Sequence, residues 1–555
     1  MASLTINPTI VCISNMNFIK ELFSKPFKEH LLFMVALFVF IASPCVLLQI
    51  RLGNNYYSLF LAIHCFLLSY LLTLFVSLTR PRFIRKIIQA LLILVSIVYF
   101  GINLYSLNEL DGLIDEDYLM LAINTNPNEA VEFLMTSLPI RILIRMIGIL
   151  GAFIVLWCLS FHYNLNLGKK SSQLAICFCV ICLAINIRNW VIWRDGPVNH
   201  ISELLCSTRD YELPNDLKFN QTNPKISIYD NSTDLPANVV LIIGESFARY
   251  HSSLYGYDKL TNPCLSSLRD KSMLFLFDSI DAPASTTSIS LKFMLSEYSK
   301  NDKDLPKKWY EYTTIIEMMN RCGYESYWVS NQARAGKYNY IGRFFAESCD
   351  RCWFLQENTG LYNNKAYDSV LVDSTSIFIN DISDDKHHFI VYHMLGSHFE
   401  YSRRYPEEFA QFSENDYMNN PNQDQREIIA SYDNSILYND YVVDQIIKLY
   451  RNTESIILYV PDHGEDLFYS SPDYHFHGKT NNPASYAYGV KIPFMIYASQ
   501  KFQDKYPATI NRIMNRQNNP IFWDCDDLPY LIMDLIGAKN VNGKNVREKS
   551  ILSSE

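Results

Sequence analysis

Residues 238–249 read NVVLIIGESFAR. An apolar, largely β-branched run meets Gly244 and passes without transition into Glu245 and Ser246. A short apolar run bounded by a turn residue is the signature of a buried strand. The same design recurs along the second half of the chain. SIILYV (455–460) runs into Pro461-Asp462-His463-Gly464-Glu465, and HFIVYHML (388–395) contains His393 and leads to His398. SYWVS (326–330) is a further strand, and TTIIEMMNRCG (313–323) and ILYNDYVVDQIIKLYR (436–451) read as amphipathic helices. Strands alternating with helices predict a mostly parallel sheet sandwiched by helices, over a domain of residues 237–555.

In such a sheet ligands gather at the carboxyl ends of the strands. The strand ends bring Glu245, His393, His398, Asp462 and His463 to one edge, with His475 and His477 a little beyond, in a chain of only 12 histidines. A solvated loop explains any one of these segments, but not their coincidence. Carboxylate oxygens and imidazole nitrogens are the donors that a divalent cation such as zinc selects. Hydroxyls come from PASTTSISL (283–291). A Ser/Thr cluster before an apolar run is commonly a helix cap. A hydroxyl at a helix N-terminus also sits where a phosphate is welcome, and becomes a nucleophile once a base or metal activates it.

The first third of the chain differs in kind. Residues 31–50, 56–78, 87–106, 142–161 and 173–187 are apolar runs, and a membrane span needs about 20 such residues. Five spans are therefore expected within a transmembrane domain of residues 1–190, the fifth being short. No cleavable signal peptide is expected, because the first run starts late. Lys20, Lys25 and Lys28 precede the first span, Arg80, Arg82, Arg85 and Lys86 follow the second, and Lys169 and Lys170 follow the fourth. The intervening loop 107–139 is acidic, and only Arg141 and Arg145 disturb the alternation. Basic loops face the cytoplasm, so the N-terminus is cytoplasmic and five crossings deliver the remainder outside. Residues 191–236, polar and rich in Pro and Asn, read as a connector. The net charge of −9 gives no basic footprint, so nucleic acid is not expected as a partner.

Of 13 cysteines, Cys206, Cys264, Cys322, Cys349, Cys352 and Cys525 fall in the exported part, where disulfides are permitted. No second CxxC accompanies Cys349-Asp-Arg-Cys352, so disulfide pairing is expected there rather than half a zinc site.

The stretches GESFARYHSSLYGYDKLTNP (244–263), WVSNQ (328–332), HMLGSHFEYSRRYP (393–406), YDNSILYNDYVVD (432–444) and PDHGED with HFHG (461–478) together resemble the phosphoethanolamine transferases. These are inner-membrane enzymes with five spans and a periplasmic domain of the alkaline phosphatase/sulfatase superfamily, and the resemblance covers nearly the whole chain. It implies that Glu245, Asp462 and His463 are zinc ligands, although manganese or another divalent metal is possible. It adds a threonine nucleophile as the fourth ligand. Thr287 is the residue selected by the spacing to Leu291 and Leu295, with Thr286 and Ser285 as alternatives. His398, His477 and His393 match histidines near the transferred phosphate or a second metal, whereas His475 and Glu465 have no assigned role. TNPNEAVEF (125–133) resembles the family's outer loop, in which Glu129 matches a glutamate near the substrate amine.

The implied activity is transfer of phosphoethanolamine from phosphatidylethanolamine to an envelope glycan such as lipid A or the lipopolysaccharide core, through a threonine intermediate. The enzyme would be a monomer in a bacterial inner membrane. Many relatives that modify lipid A carry Cys-Gly-Thr where this chain has Ala-Ser-Thr-Thr. Two other readings compete. A phosphodiesterase or sulfatase-like hydrolase would use the same site with water as acceptor, but the Cys-x-Pro-x-Arg sequence of sulfatases is missing near Pro283. A membrane-anchored binding protein with a decayed site would lack ligands that are all present here.

Overall fold

The structure, a computed structural model, describes residues 23–109, 112–114, 196–210, 228–229, 234–302, 307–334, 340–356, 367–378, 386–420, 422–472, 475–477 and 482–553, with isolated positions and one short helical stretch between 119 and 184. They fall into two compact units, one on either side of about residue 211.

The N-terminal unit is helical. Helices α1 (Leu31–Arg51), α2 (Asn55–Leu78) and α3 (Arg82–Glu109) contain 21, 24 and 28 residues. At about 1.5 Å per residue each is long enough to cross a bilayer core of about 30 Å, and all three are apolar enough to do so. Several of their serine and threonine hydroxyls are satisfied inside the helix. Ser69 Oγ donates to Cys65 O (2.8 Å), Thr73 Oγ1 to Ser69 O (2.7 Å) and Ser96 Oγ to Leu92 O (2.7 Å). That is the arrangement a lipid solvent demands. Only isolated positions of the fourth expected span are described, whereas within the fifth position 174 and residues 177–184 are helical. Within the expected connector, Pro197–Asp210 is a helix. It is tied to α3 where the Tyr99 hydroxyl meets His200 Nδ1 at 3.3 Å, while His200 Nε2 donates to Ile114 O at 2.6 Å.

The second unit is built on seven strands: β1 (Asn238–Gly244), β2 (Leu274–Phe277), β3 (Tyr324–Ala333), β4 (Arg351–Gln356), β5 (His387–His393), β6 (Ser455–Pro461) and β7 (Phe494–Ala498). Their order is β2-β7-β6-β1-β5-β3-β4, and all are parallel except β7, which runs antiparallel to both its neighbours. Every residue of β1 and β6 is buried. Continuous burial is why these strands read as unbroken apolar runs rather than alternating ones. One apolar core covers each face of the sheet.

Register positions the chemistry. On β1, Gly244 pairs with Pro461 of β6 and Ile243 with His393 of β5. Three adjacent strands therefore end level. Two helices matter for the site: α4 (Thr287–Met294) and α5 (Gln423–Tyr450). α5 starts 13 residues before the segment expected from periodicity. The disulfide expectation is also corrected. Among the described residues none of Cys264, Cys322, Cys349, Cys352 and Cys525 is in a disulfide. Cys349 lies just after helix Tyr340–Ser348 with its thiol turned back to Phe345 O at 3.5 Å, while Cys352 belongs to β4.

Candidate metal centre

The loop after β1 bends sharply to present Glu245. Ser246 adopts φ 55, the left-handed region that a non-glycine residue rarely occupies and that marks functional strain. Two contacts hold the bend in place. The Ser246 hydroxyl donates to Glu245 Oε1 at 2.9 Å, and its N–H donates to Asp462 Oδ1 at 3.3 Å. Gly396, at φ 52, presses against Glu245 from the loop after β5. A Cβ there would stand 2.7 Å from Glu245 O, so only glycine fits.

Glu245, Asp462 and His463 converge with one ligand atom each inside a 4.8 Å group, and all three are buried. His463 Nε2 lies 3.1 Å from Glu245 Oε1 and 3.6 Å from Asp462 Oδ2. Its other nitrogen, Nδ1, donates to Gly464 O at 2.7 Å, which commits the ring to face the carboxylates through Nε2. Asp462 Oδ2 has no hydrogen-bond partner among the described residues. A buried carboxylate oxygen left this way is costly unless a cation meets it.

Charge tells the same story. Burial opposes a proton on His463, yet Asp462 and Glu245 outweigh it and push the imidazole up to about 10. Burial also works against the charged form of Glu245, but the His463 hydrogen bond and charge hold that carboxyl well below the usual range. Asp462 is pushed upward by burial first and then by the Glu245 charge. Two carboxylates around one imidazole draw positive charge to a single point. The donor set, its burial and the orphaned oxygen fit a divalent cation.

Among the three candidate hydroxyls, Thr287 is the one that reaches this point. Its Oγ1 lies 3.3 Å from each oxygen of Glu245 and 3.4 Å from His463 Nε2. Thr287 is also the first residue of α4, whose opening N–H groups have no partner inside the helix. Thr286 precedes it as the capping residue without a side-chain cap bond. Both Thr286 Oγ1 and Ser285 Oγ are buried without a hydrogen-bond partner among the described residues. Ser285 packs instead on Gly489, where an added Cβ would meet its own at 2.9 Å.

The histidines separate in the same way. The His477 ring lies 4.1 Å from that of His463, and its Nδ1 donates to Glu465 Oε2 at 3.0 Å. Glu465, which had no assigned role, is therefore a buried partner of His477, and His463, Glu465 and His477 form a second group of possible ligands. His393 ends β5 beneath the site, with Nδ1 3.5 Å from Ser330 Oγ. His398 is half-buried on the following loop. His475 stacks among Phe468 and Phe476, at 5.0 and 4.1 Å. Glu129 lies outside the described residues.

Two supporting residues had no role in the sequence reading. Gln332 Nε2 donates to Glu245 Oε2 (3.3 Å) and Met394 O (2.9 Å), joining the two loops. It sits in the WVSNQ stretch, so its neighbourhood was visible. Asp368 accepts from Leu395 N (2.9 Å), Gly396 N (2.8 Å) and Asn331 Nδ2 (2.8 Å), and fixes the loop that bears His398. No motif announces it.

Comparison with known proteins bears on the family and the fold. Residues 237–538 match the family described as Sulfatase. The phosphoethanolamine transferase EptC of Escherichia coli (strain K12) is 26% identical over 428 residues, 72% of this chain and 72% of that protein. The crystal structure of the periplasmic domain of EptC from Escherichia coli, in complex with Zn, aligns with a TM-score of 0.53 at 25% identity, over 59% of this chain and 88% of its own. The integral membrane protein lipooligosaccharide phosphoethanolamine transferase A (EptA) from Neisseria meningitidis shares the fold over 95% of this chain and 98% of its own, with a TM-score of 0.67 at 17% identity. The resemblance read from the motifs is thus met. With more than half its length matched and the strand-end site intact, the chain belongs to the sulfatase family, within the alkaline phosphatase/sulfatase superfamily.

Proposed function

We propose that this chain transfers phosphoethanolamine from phosphatidylethanolamine to an envelope glycan, lipid A or core lipopolysaccharide among the candidates, through a covalent intermediate on Thr287. One observation carries the reading: a threonine hydroxyl at a helix N-terminus, 3.3 Å from the Glu245 carboxylate and 3.4 Å from His463 Nε2. The activity named for the curated relative supports the choice of transferred group. A divalent cation held by Glu245, Asp462, His463 and Thr287, zinc by analogy with the EptC domain or manganese in its place, would lower the pKa of the Thr287 hydroxyl and attract the phosphoryl oxygens.

The chemistry of the chain's own groups runs in two displacements. Thr287 Oγ1 attacks the phosphorus of the donor. A new phosphorus–oxygen bond forms while the bond to the diacylglycerol oxygen breaks, and the threonine proton ends on that departing oxygen. The acceptor's oxygen then attacks the same phosphorus. Its proton passes to Thr287 Oγ1 as the threonyl bond breaks, which restores the enzyme. The opening N–H groups of α4, with His393, His398 and His477 as further donors, stabilise negative charge on the transferred group. Glu129 attracts the donor's ammonium.

A lipid donor accounts for a catalytic domain that shares its chain with membrane spans. In this reading residues 1–190 form five spans in a bacterial inner membrane, with 107–139 as the acidic outer loop. Residues 191–236 connect them to a periplasmic catalytic domain of residues 237–555, and the enzyme acts as a monomer.

The test is mass spectrometry of the purified chain after incubation with phosphatidylethanolamine. A phosphoethanolamine adduct is expected on the 283–291 peptide, together with released diacylglycerol. Thr287→Ala should remove the adduct and slow diacylglycerol release by at least about 10³-fold. If adduct and release survive in that variant, the nucleophile assignment fails. If diacylglycerol accumulates only with free phosphoethanolamine whatever glycan is supplied, the protein is a hydrolase.

A further inference from the structure

α5 turns an unexpected face toward the core. Its buried residues include Tyr432, Ser435 and Asn439, spaced i, i+3 and i+7, so three polar side chains occupy the stripe where a helix normally presents apolar ones. Buried polar groups need partners, and each of these three finds one beside Glu245.

The Tyr432 hydroxyl donates to Ser246 O at 2.6 Å and accepts from Ala248 N at 2.8 Å, which spans the strained bend just after Glu245. Ser435 Oγ, which donates to Tyr432 O at 2.6 Å, meets Ser397 Oγ at 2.9 Å, and the Ser397 N–H donates to Glu245 O at 3.0 Å. Asn439 Oδ1 accepts from the Tyr459 hydroxyl at 2.9 Å. That hydroxyl lies where a side chain at position 244 would have to go, so residue 244 is glycine and its neighbour is held from below. One helix face thus braces the backbone before, at and after Glu245.

We propose that Tyr432, with Ser435 and Asn439 on the same face of α5, is a positioning residue that fixes the Glu245 carboxylate for cation binding. None of the three touches the cation site. They act through backbone groups, and Tyr432 does so most directly, because its single hydroxyl uses both donor and acceptor capacity on the left-handed bend. Groups behind the ligands commonly tune metal affinity by about 10- to 100-fold. The YDNS tetrapeptide (432–435), which the strand-end site leaves without a role, acquires one.

The inference rests on the cation-binding reading above, and the experiment separates the two. Full-length protein in detergent is stripped with a chelator and titrated with Zn²⁺ against a competing indicator. Wild type that binds no Zn²⁺ overturns the cation reading itself. With wild type binding, Tyr432→Phe keeps the ring and loses only the hydroxyl, and its Zn²⁺ affinity should fall about 10- to 100-fold. Tyr450→Phe is the control. Tyr450 lies on the same helix and its hydroxyl shares an equally buried bond with Tyr392, at 2.7 Å. That variant should lose thermal stability and keep its Zn²⁺ affinity. Equal affinities in Tyr432→Phe and wild type overturn the proposal, and so does an equal loss in both tyrosine variants. Should Tyr432→Phe fail to fold, Asn439→Ala releases Tyr459 beneath Gly244 and is subject to the same criterion.

Discussion

Two buried histidines close adjacent halves of the same sheet edge, and their electrostatic fates are opposite. His463, after β6, is pushed up to about 10, while His393, at the end of β5, is held down at about 4. Both lie in the same protein interior, and burial opposes protonation of each. The difference is the company they keep. His463 Nε2 faces two carboxylates within 3.6 Å. His393 Nε2 has no hydrogen-bond partner among the described residues, and the more distant Glu245 charge offsets only part of its burial. The strand end rich in carboxylates has the charge to suit a cation; the other supplies a neutral wall. By carboxylate count His477 stands between the two, with a single one, Glu465, on its Nδ1.

The largest effect should follow from stripping His463 of that company. Asp462→Asn removes the charge whose Oδ2 is orphaned, and Zn²⁺ affinity in a chelator competition should fall by at least about 10²-fold, since even groups behind the ligands are worth about 10- to 100-fold. Transfer should fall with it. A variant that binds Zn²⁺ as wild type does would show that the carboxylate pair is structural. The intermediate case is sharper. Glu465→Gln keeps the shape of the His477 partnership and removes its charge. Zn²⁺ affinity should stay within about threefold of wild type, whereas the turnover rate at saturating donor should drop about 10²-fold, the usual worth of a positioned acid or base. Should affinity collapse and turnover per bound metal stay constant, Glu465 belongs with the ligands and the distinction between the two groups dissolves.

The sequence made these regions unequally legible. Glu245 and the Asp462-His463 pair stood out because each directly follows a buried parallel strand, where an apolar run followed by charge is hard to mistake. The three hydroxyls of Ser285, Thr286 and Thr287 could not be separated by composition. Their difference lies in where α4 begins, which turns the first two inward and leaves the third at the carboxylates. Asp368 was invisible because its donors come from positions 331, 395 and 396, and no local pattern encodes such a convergence. α5 was found only in part. Hydrophobic periodicity begins at Ile436, yet the helix begins at Gln423, and its missing inner stripe is made of tyrosine, serine and asparagine that no apolar count registers. The disulfide expectation for Cys349 and Cys352, one bridge or two separate ones, failed for a related reason: spacing says nothing of where the thiols lie, and they belong to a helix end and a strand.

The smallest effect concerns His393 itself and is one of stability. Burial lowers its pKa from 6.5 to about 4 in the fold, while the unfolded chain takes up its proton near the ordinary value. The unfolded state therefore binds more protons between the two values, and stability rises with pH across that window. The contribution is fully present above about 6.5, shrinks as the pH falls and is gone below about 4, with a ceiling of about 3 kcal/mol. His393→Gln cannot titrate, so the wild type should lose melting temperature relative to this variant as metal-free samples are acidified through that window. The comparison of the two proteins cancels the carboxylates they share. Parallel curves would mean that His393 already carries a proton or meets an anionic partner in the fold, and the neutral wall at the end of β5 would have to be redrawn as a second charged one.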